Sequence, residues 1–174
     1  LLAPFVVFSG SQSSAYEMPR THVIPINDAA NDRQYELYIK LPKDYEKHQK
    51  VRYPVIYFTD AVWHIESLSA ATEYLLEDSI LVGISWQKDI DDALIKTAGD
   101  HVSRYRDYSP RPSDNPEHQS KYHFGQAKQH LDFIRNTVIS YTEKHYRTET
   151  TQRSYFGYSM GGEFGAYVLL TQPD

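Results

Sequence analysis

The chain has 174 residues, a length that fits one domain or part of one, and its net charge of −5 offers no basic surface for nucleic acid. Hydrophobic residues at 40% and charged residues at 24% describe a globular chain with a real core rather than a disordered one. Cysteine is absent, which excludes disulfides, thiol nucleophiles and cysteine-based metal sites.

The sequence opens on Leu1-Leu2-Ala3-Pro4-Phe5-Val6-Val7-Phe8, followed by the small polar run Ser9 to Ala15. This reads as the tail of a signal peptide with a small-residue cleavage site, so residues 1–15 are expected to be a targeting remnant. A buried strand is the other reading of the same residues. The remnant implies an exported protein, periplasmic or secreted. No other stretch reaches the length of a membrane span.

Thr21 to Ile26 and Gln34 to Leu41 alternate apolar and polar residues, and the Asn/Asp-rich stretch from Asn27 to Asp32 separates them. That pattern predicts an antiparallel hairpin. Val55-Ile56-Tyr57-Phe58-Thr59 and Ile80 to Trp86 are short continuous apolar runs, as expected of strands buried on both faces. Between them Ser67 to Leu76 reads as a helix with a serine cap.

Gln87 to Pro116 is a long polar stretch with a short helix expected at Ile90 to Thr97. Gln126 to His145 carries Leu131, Ile134 and Val138 at helical spacing, and His130 and His145 on it are expected to face solvent. Arg153 to Tyr158 is a predicted strand, and Glu163 to Thr171 a predicted helix stopped by Pro173. Alternating strands and helices predict an α/β fold with a mostly parallel sheet and helices on both faces. Fifteen tyrosines suit half-buried strand and helix positions, while an aromatic cleft for sugar or aryl groups is the alternative.

The chemistry concentrates in Gly157-Tyr158-Ser159-Met160-Gly161-Gly162, a Gly-x-Ser-x-Gly-Gly run between the last predicted strand and helix. In that context a serine stands on a strained turn with its hydroxyl exposed, and Ser159 is the candidate nucleophile. Gly157 and Gly161 leave room where the backbone crowds. The Met160 N–H, at a helix start, is placed to meet a developing oxyanion. The bland alternative is a glycine-rich turn with an incidental serine. His118 and His123 lack acidic partners at ligand spacing and no HExxH occurs, so no metal or other cofactor is expected.

With this motif, the run Arg52 to Asp60, the strand Ile80 to Ile84, the loop Arg104-Tyr105-Arg106-Asp107-Tyr108-Ser109-Pro110 and the helix ending at Tyr141 to Thr148, the chain resembles the esterase branch of the α/β-hydrolase superfamily. Esterase D-type enzymes, feruloyl esterases, mycolyltransferases and siderophore trilactone esterases belong to that group, and the last are the nearest in pattern. The likeness spans Thr21 to Asp174. It implies an α/β-hydrolase fold over 16–174 and a small-molecule ester substrate, with oxyanion donors at Met160 and at Ala61 or Val62. Ala61 stands where the family has glycine. Arg104, Arg106 and Asp107 are either a loop-ordering ion cluster or an anion-binding group.

The family order is Ser, then acid, then His. No histidine follows Ser159, and all eight precede it. The triad acid and histidine are therefore expected beyond residue 174, with the present residues forming the N-terminal portion of the domain. His64 lies where it could line the cleft, but as a base it would break the family order. A binding protein that kept the fold without the triad, or an acyltransferase using the same serine, remain alternative functions.

Overall fold

The computed structural model describes residues 15–172. The expected signal remnant at 1–15 falls almost wholly outside the described residues. Strands β1 (Thr21–Asp28) and β2 (Arg33–Lys40) form the hairpin, with Ile26 opposite Tyr35. The turn is held by the Asn31 side chain, which donates to Asp28 Oδ2 at 2.8 Å.

β3 (Tyr53–Phe58), β4 (Ile80–Ile84) and β5 (Thr148–Phe156) complete a five-stranded sheet in the order β1-β2-β4-β3-β5. β2 runs antiparallel to β4, whereas β3 is parallel to both β4 and β5. The chain leaves β3 toward β4 on one side and returns to β5 on the other. The strand order therefore reverses at β3, and in open α/β sheets the crevice at such a reversal, beyond the carboxyl ends of the strands, receives ligands.

Alternation along the strands splits the interior into two cores. Tyr53, Val55 and Tyr57 of β3 and Ile80, Val82 and Ile84 of β4 face one way, with Tyr35, Leu37 and Ile39 of β2. They meet α5 (Ala127–Phe133) and the residues that continue it, together with Phe164 of α7 (Met160–Thr171). Phe58 and Leu81 face the other way and meet Ala61 and Ile65 of α1 (Ala61–Leu75). Every residue of β4 is buried, as its unbroken apolar run requires.

Three helices differ from expectation. α1 begins at Ala61, six residues before the predicted serine cap, because Asp60 turns the chain straight from β3 into the helix. The helix expected at 126–145 is present, but a π-helical turn at Ile134–Ile139 joins α5 to α6 (Ser140–His145). α7 starts at Met160 rather than Glu163.

The polar stretch carries α2 (Asp92–Ala98), capped by the Asp91 carboxylate, and the short α3 (Arg104–Asp107). α4 (Pro116–Tyr122) follows, with Asn115 as cap and Pro116 at its first position. Among the described residues no helix is long and apolar enough to cross a membrane.

Candidate active site

β5 ends at Phe156, and three residues later Ser159 takes φ 54°, ψ −122° before α7 begins at Met160. A non-glycine residue in that region costs on the order of 1–3 kcal/mol and persists only where its surroundings fix it. Here they do. Gly161 N–H donates to Tyr158 O at 2.9 Å and Glu163 N–H to Ser159 O at 3.0 Å. The Tyr155 hydroxyl donates to Gly161 O at 2.8 Å and sits 2.9 Å from Thr59 Oγ1, which ties the turn to the end of β3.

A side chain at Gly157 would put its Cβ 2.2 Å from Gly161 O, and one at Gly161 would fall 2.6 Å from Thr59 Oγ1. Both contacts are prohibitive, so the turn closes only with glycine at these positions. The Ser159 side chain does not cap α7 and is exposed. Among the described residues its hydroxyl has no hydrogen-bond partner.

The facing wall comes from β3. Phe58 pairs with Phe156, so the chain beyond β3 runs beside the turn beyond β5. Asp60 adopts a left-handed conformation (φ 58°, ψ 44°) and starts α1. Its carbonyl accepts from Trp63 N–H at 2.9 Å and His64 N–H at 3.2 Å. The amides of Ala61 and Val62 lie in the first turn, where no helical carbonyl can reach them. Ala61 is buried and Val62 exposed.

The Asp60 side chain is 0% exposed and is the hub of the wall. Trp86 Nε1 donates to Oδ1 at 2.7 Å, and the Tyr108 hydroxyl to the same oxygen at 3.2 Å. Arg104 places Nε 2.7 Å from Oδ1 and donates from Nη2 to Oδ2 at 3.1 Å. A buried carboxylate needs this saturation, because each unmet lone pair in a dry interior is costly. Burial raises the Tyr108 and Tyr155 hydroxyls well above their ordinary range, so both remain protonated donors.

The Arg104 guanidinium also lies over the Trp63 ring, 4.9 Å from its centroid. Arg104 thus joins Asp60 to the exposed ring of Trp63. Arg106 and Asp107 are not brought to the serine. Asp107 accepts from the Tyr35 hydroxyl at 2.9 Å and from Arg106 Nε at 2.8 Å, and Arg33 stands 3.6 Å away, so the pair braces β2 against α3.

His64, on the first turn of α1, sets its ring edge-on to Phe156 (5.5 Å) and Tyr158 (6.1 Å), directly beside the turn. His145 is exposed and stacks on Tyr141. His130 corrects the sequence expectation: it is 1% exposed rather than solvent-facing. The reason is that α5 is covered on that side by α7, whose Phe164 ring sits 5.5 Å from the imidazole. Among the described residues, no group of three or more His, Asp or Glu side chains could hold a metal ion.

Sequence reasoning singled out Ser159, Met160 and the Ala61–Val62 turn, and the structure sets these at the ends of the adjacent strands β5 and β3. It missed the hub formed by Asp60 with Trp86 and Tyr108, and the Tyr155–Thr59 tie. The available signal was Asp60 itself, an acid ending an apolar strand, which cannot be buried without partners.

The Esterase family model, described as "Putative esterase", matches residues 29–174. Among curated proteins the chain is 26% identical, over 180 residues, to ferri-bacillibactin esterase BesA of Bacillus subtilis (strain 168). That match covers 95% of this chain and 58% of the relative, so the chain spans little more than half of that protein's length. Among solved structures it resembles the BES protein from Bacillus cereus, with a TM-score of 0.76 at 19% identity over 95% of this chain and 61% of that one. It also resembles siderophore hydrolase EstB from Aspergillus nidulans, with a TM-score of 0.73 at 21% identity over 94% of this chain and 55% of the other. At these identities the two structures show a shared fold.

Proposed function

The chain belongs to the esterase family, and we propose that Ser159 is the nucleophile of a carboxylic ester hydrolase acting through an acyl-enzyme. The observation that carries this reading is the strained backbone of Ser159 with its exposed hydroxyl free of any cap. Strain of this kind is kept where it aims a reacting group.

In this reading Ser159 Oγ attacks the ester carbonyl carbon and its proton passes to a base. The carbonyl oxygen becomes an oxyanion, stabilised by the N–H of Met160 and an N–H from the Ala61–Val62 turn. Collapse expels the alcohol, which takes the proton from the base, and water then releases the acid. Arg104 and Asp60 fix the α1 turn that carries the second donor. The base and its acid are proposed to lie C-terminal to residue 174, in the order Ser, acid, His. A siderophore-type lactone is the substrate that the names of the relatives support, with a short acyl or aryl ester as the alternative.

Labelling with a fluorophosphonate tests the assignment. The 174-residue chain should label slowly, and a form extended to the length of the relatives should label fast. Ser159→Ala should abolish labelling in both. Absence of labelling in the extended form would favour a binding protein that kept the fold. Rapid labelling of the 174-residue chain, lost in His64→Ala, would make His64 the base instead.

A further inference from the structure

We infer that His130 is an acid-sensitive latch between the Asp60 wall and the serine helix, so that protonating it loosens the candidate site while the rest of the fold holds. The inference rests on the placement of the site at Ser159 and names its regulation, but it does not need the chemistry of that serine.

His130 is 1% exposed, and among the described residues neither of its ring nitrogens has a hydrogen-bond partner. Four aromatic rings enclose it: Tyr35 and Tyr108 with centroids at 5.7 Å, Phe133 at 5.8 Å and Phe164 at 5.5 Å. A neutral imidazole packs there as a flat, weakly polar ring. An imidazolium brings a full charge and two N–H donors into the same space. A buried charge is costly unless it is paired.

The surroundings offer no pair. Asp28 of β1, Arg33 of β2, and Arg106 and Asp107 of α3 act on the ring, two carboxylates against two guanidiniums. Asp107 is already engaged by the Tyr35 hydroxyl at 2.9 Å and by Arg106 Nε at 2.8 Å. α7 presents Phe164, whose ring adjoins the Tyr167 phenol. On the helix that carries His130, Lys128 and Asp132 bond each other at 2.7 Å. Burial accordingly lowers the pKa of His130, and the proton is taken up only as the cage opens.

The walls of the cage are unequal. Tyr35 stacks on Phe133 at 4.9 Å and donates to a charged Asp107 that Arg106 braces. Tyr108 is tied by a longer bond, 3.2 Å, to Asp60 Oδ1, and Phe164 is held by packing alone. The two weaker walls are the ones that belong to the site. Tyr108 shares Asp60 Oδ1 with the Trp86 indole, and Asp60 starts the Ala61–Val62 turn. Phe164 stands on the second turn of α7, which begins at the residue after Ser159. Opening at Tyr108 and Phe164 therefore frees the two turns from each other, while β2 and α3 stay braced. The latch is closed above about pH 6.5, the ordinary histidine value, and opens as pH falls below it.

The test follows the Trp86 indole N–H and the Met160 backbone N–H of the 174-residue chain by NMR, from about pH 7.5 to about pH 5, with far-UV circular dichroism at each point. Both signals should shift in one step while the dichroism stays constant, and the His130 ring C–H should titrate with the same midpoint. His130→Phe, which keeps an aromatic ring and removes the proton, should abolish the step at both signals. His101 and His64 adjoin Trp86 and Tyr158, so His101→Gln and His64→Gln are the controls and should keep it. A step unchanged in His130→Phe, or lost in either glutamine variant instead, overturns the latch. So does a Trp86 midpoint that differs from that of the His130 ring, a comparison that stands even if His130→Phe fails to fold. Loss of the far-UV signal in the same step would mean that acid acts on the whole fold, and overturns it too. If the extended form fails to label at Ser159 while the step persists, the nucleophile falls and the latch stands.

Discussion

At Asp60 a single buried carboxylate holds an indole, a phenol and a guanidinium at the start of α1. Removing it strands a buried cation with no partner. Asp60→Ala is therefore expected to cost about 3–5 kcal/mol, a large share of an ordinary domain's stability. Asp60→Asn keeps the shape and one acceptor and should cost clearly less. Urea denaturation of the two variants checks the order, and equal losses would show that the charge is not what matters. His130 presents the opposite case. Tyr35, Tyr108, Phe133 and Phe164 surround it, and neither ring nitrogen has a partner among the described residues. Burial lowers its pKa, with Asp107 and Asp28 opposing and Arg106 and Arg33 assisting. The folded state therefore disfavours the imidazolium, and the unfolded chain binds the extra proton. Stability from this residue is fully present above the unfolded pKa of about 6.5 and is lost as pH falls below it, by at most about 1.4 kcal/mol per pH unit. His130→Leu should flatten that part of the stability–pH curve even if it lowers the plateau. A curve as steep as that of the wild type below neutrality would show that other groups account for the acid loss.

At the scale of elements, the strain at Ser159 is shared between neighbours rather than carried by the turn alone. Tyr155 reaches from β5 to Gly161 O and to Thr59, so β5, the first turn of α7 and the end of β3 are tied together. Most of this was legible in the residues. Continuous apolar runs marked β3 and β4, alternation marked the hairpin, and glycines at 157 and 161 marked the crowded turn. The misses have local causes. α1 was placed late because its cap is an aspartate in a left-handed conformation whose side chain faces inward, so no serine or threonine signal announces its start. α4 lies outside the helices expected from spacing because it has no buried residue and so no apolar stripe, although Asn115-Pro116 supplies a cap and a first-position proline. The π-helical turn at Ile134–Ile139 leaves the apolar spacing almost unchanged and shows only in hydrogen bonding. His130 was misplaced because periodicity identifies one buried stripe and not a second cover, here α7.

Across the whole molecule the two edges of the sheet are unlike. β1 is likewise paired to one strand alone, β2, and leaves Val23 exposed, but no apolar groove is described beside it. β5 is paired to β3 alone among the described residues, and Thr150, Thr151, Arg153 and Ser154 are exposed along it. Beside it runs a groove of about 580 Å³ lined by Leu131, Ile134, Ile139, Tyr155, Val168 and Leu169. An open strand edge next to apolar surface is a template for pairing with another chain. The 174-residue chain on its own is accordingly expected to self-associate as concentration rises, through this edge rather than through the β1 side. Thr151→Lys combined with Ser154→Lys places like charges along the edge and should keep the protein monomeric in sedimentation velocity without lowering its melting temperature appreciably. His22→Lys combined with Val23→Lys, at exposed positions of β1, should leave association unchanged. A monomer at every concentration would mean that the edge is already protected by its own irregular register, since the pairing shifts between Tyr53 and Val55 and leaves the start of β5 out of line with a regular strand. Association that survives the two lysines would instead place the contact on the exposed Leu169 and Leu170 of α7.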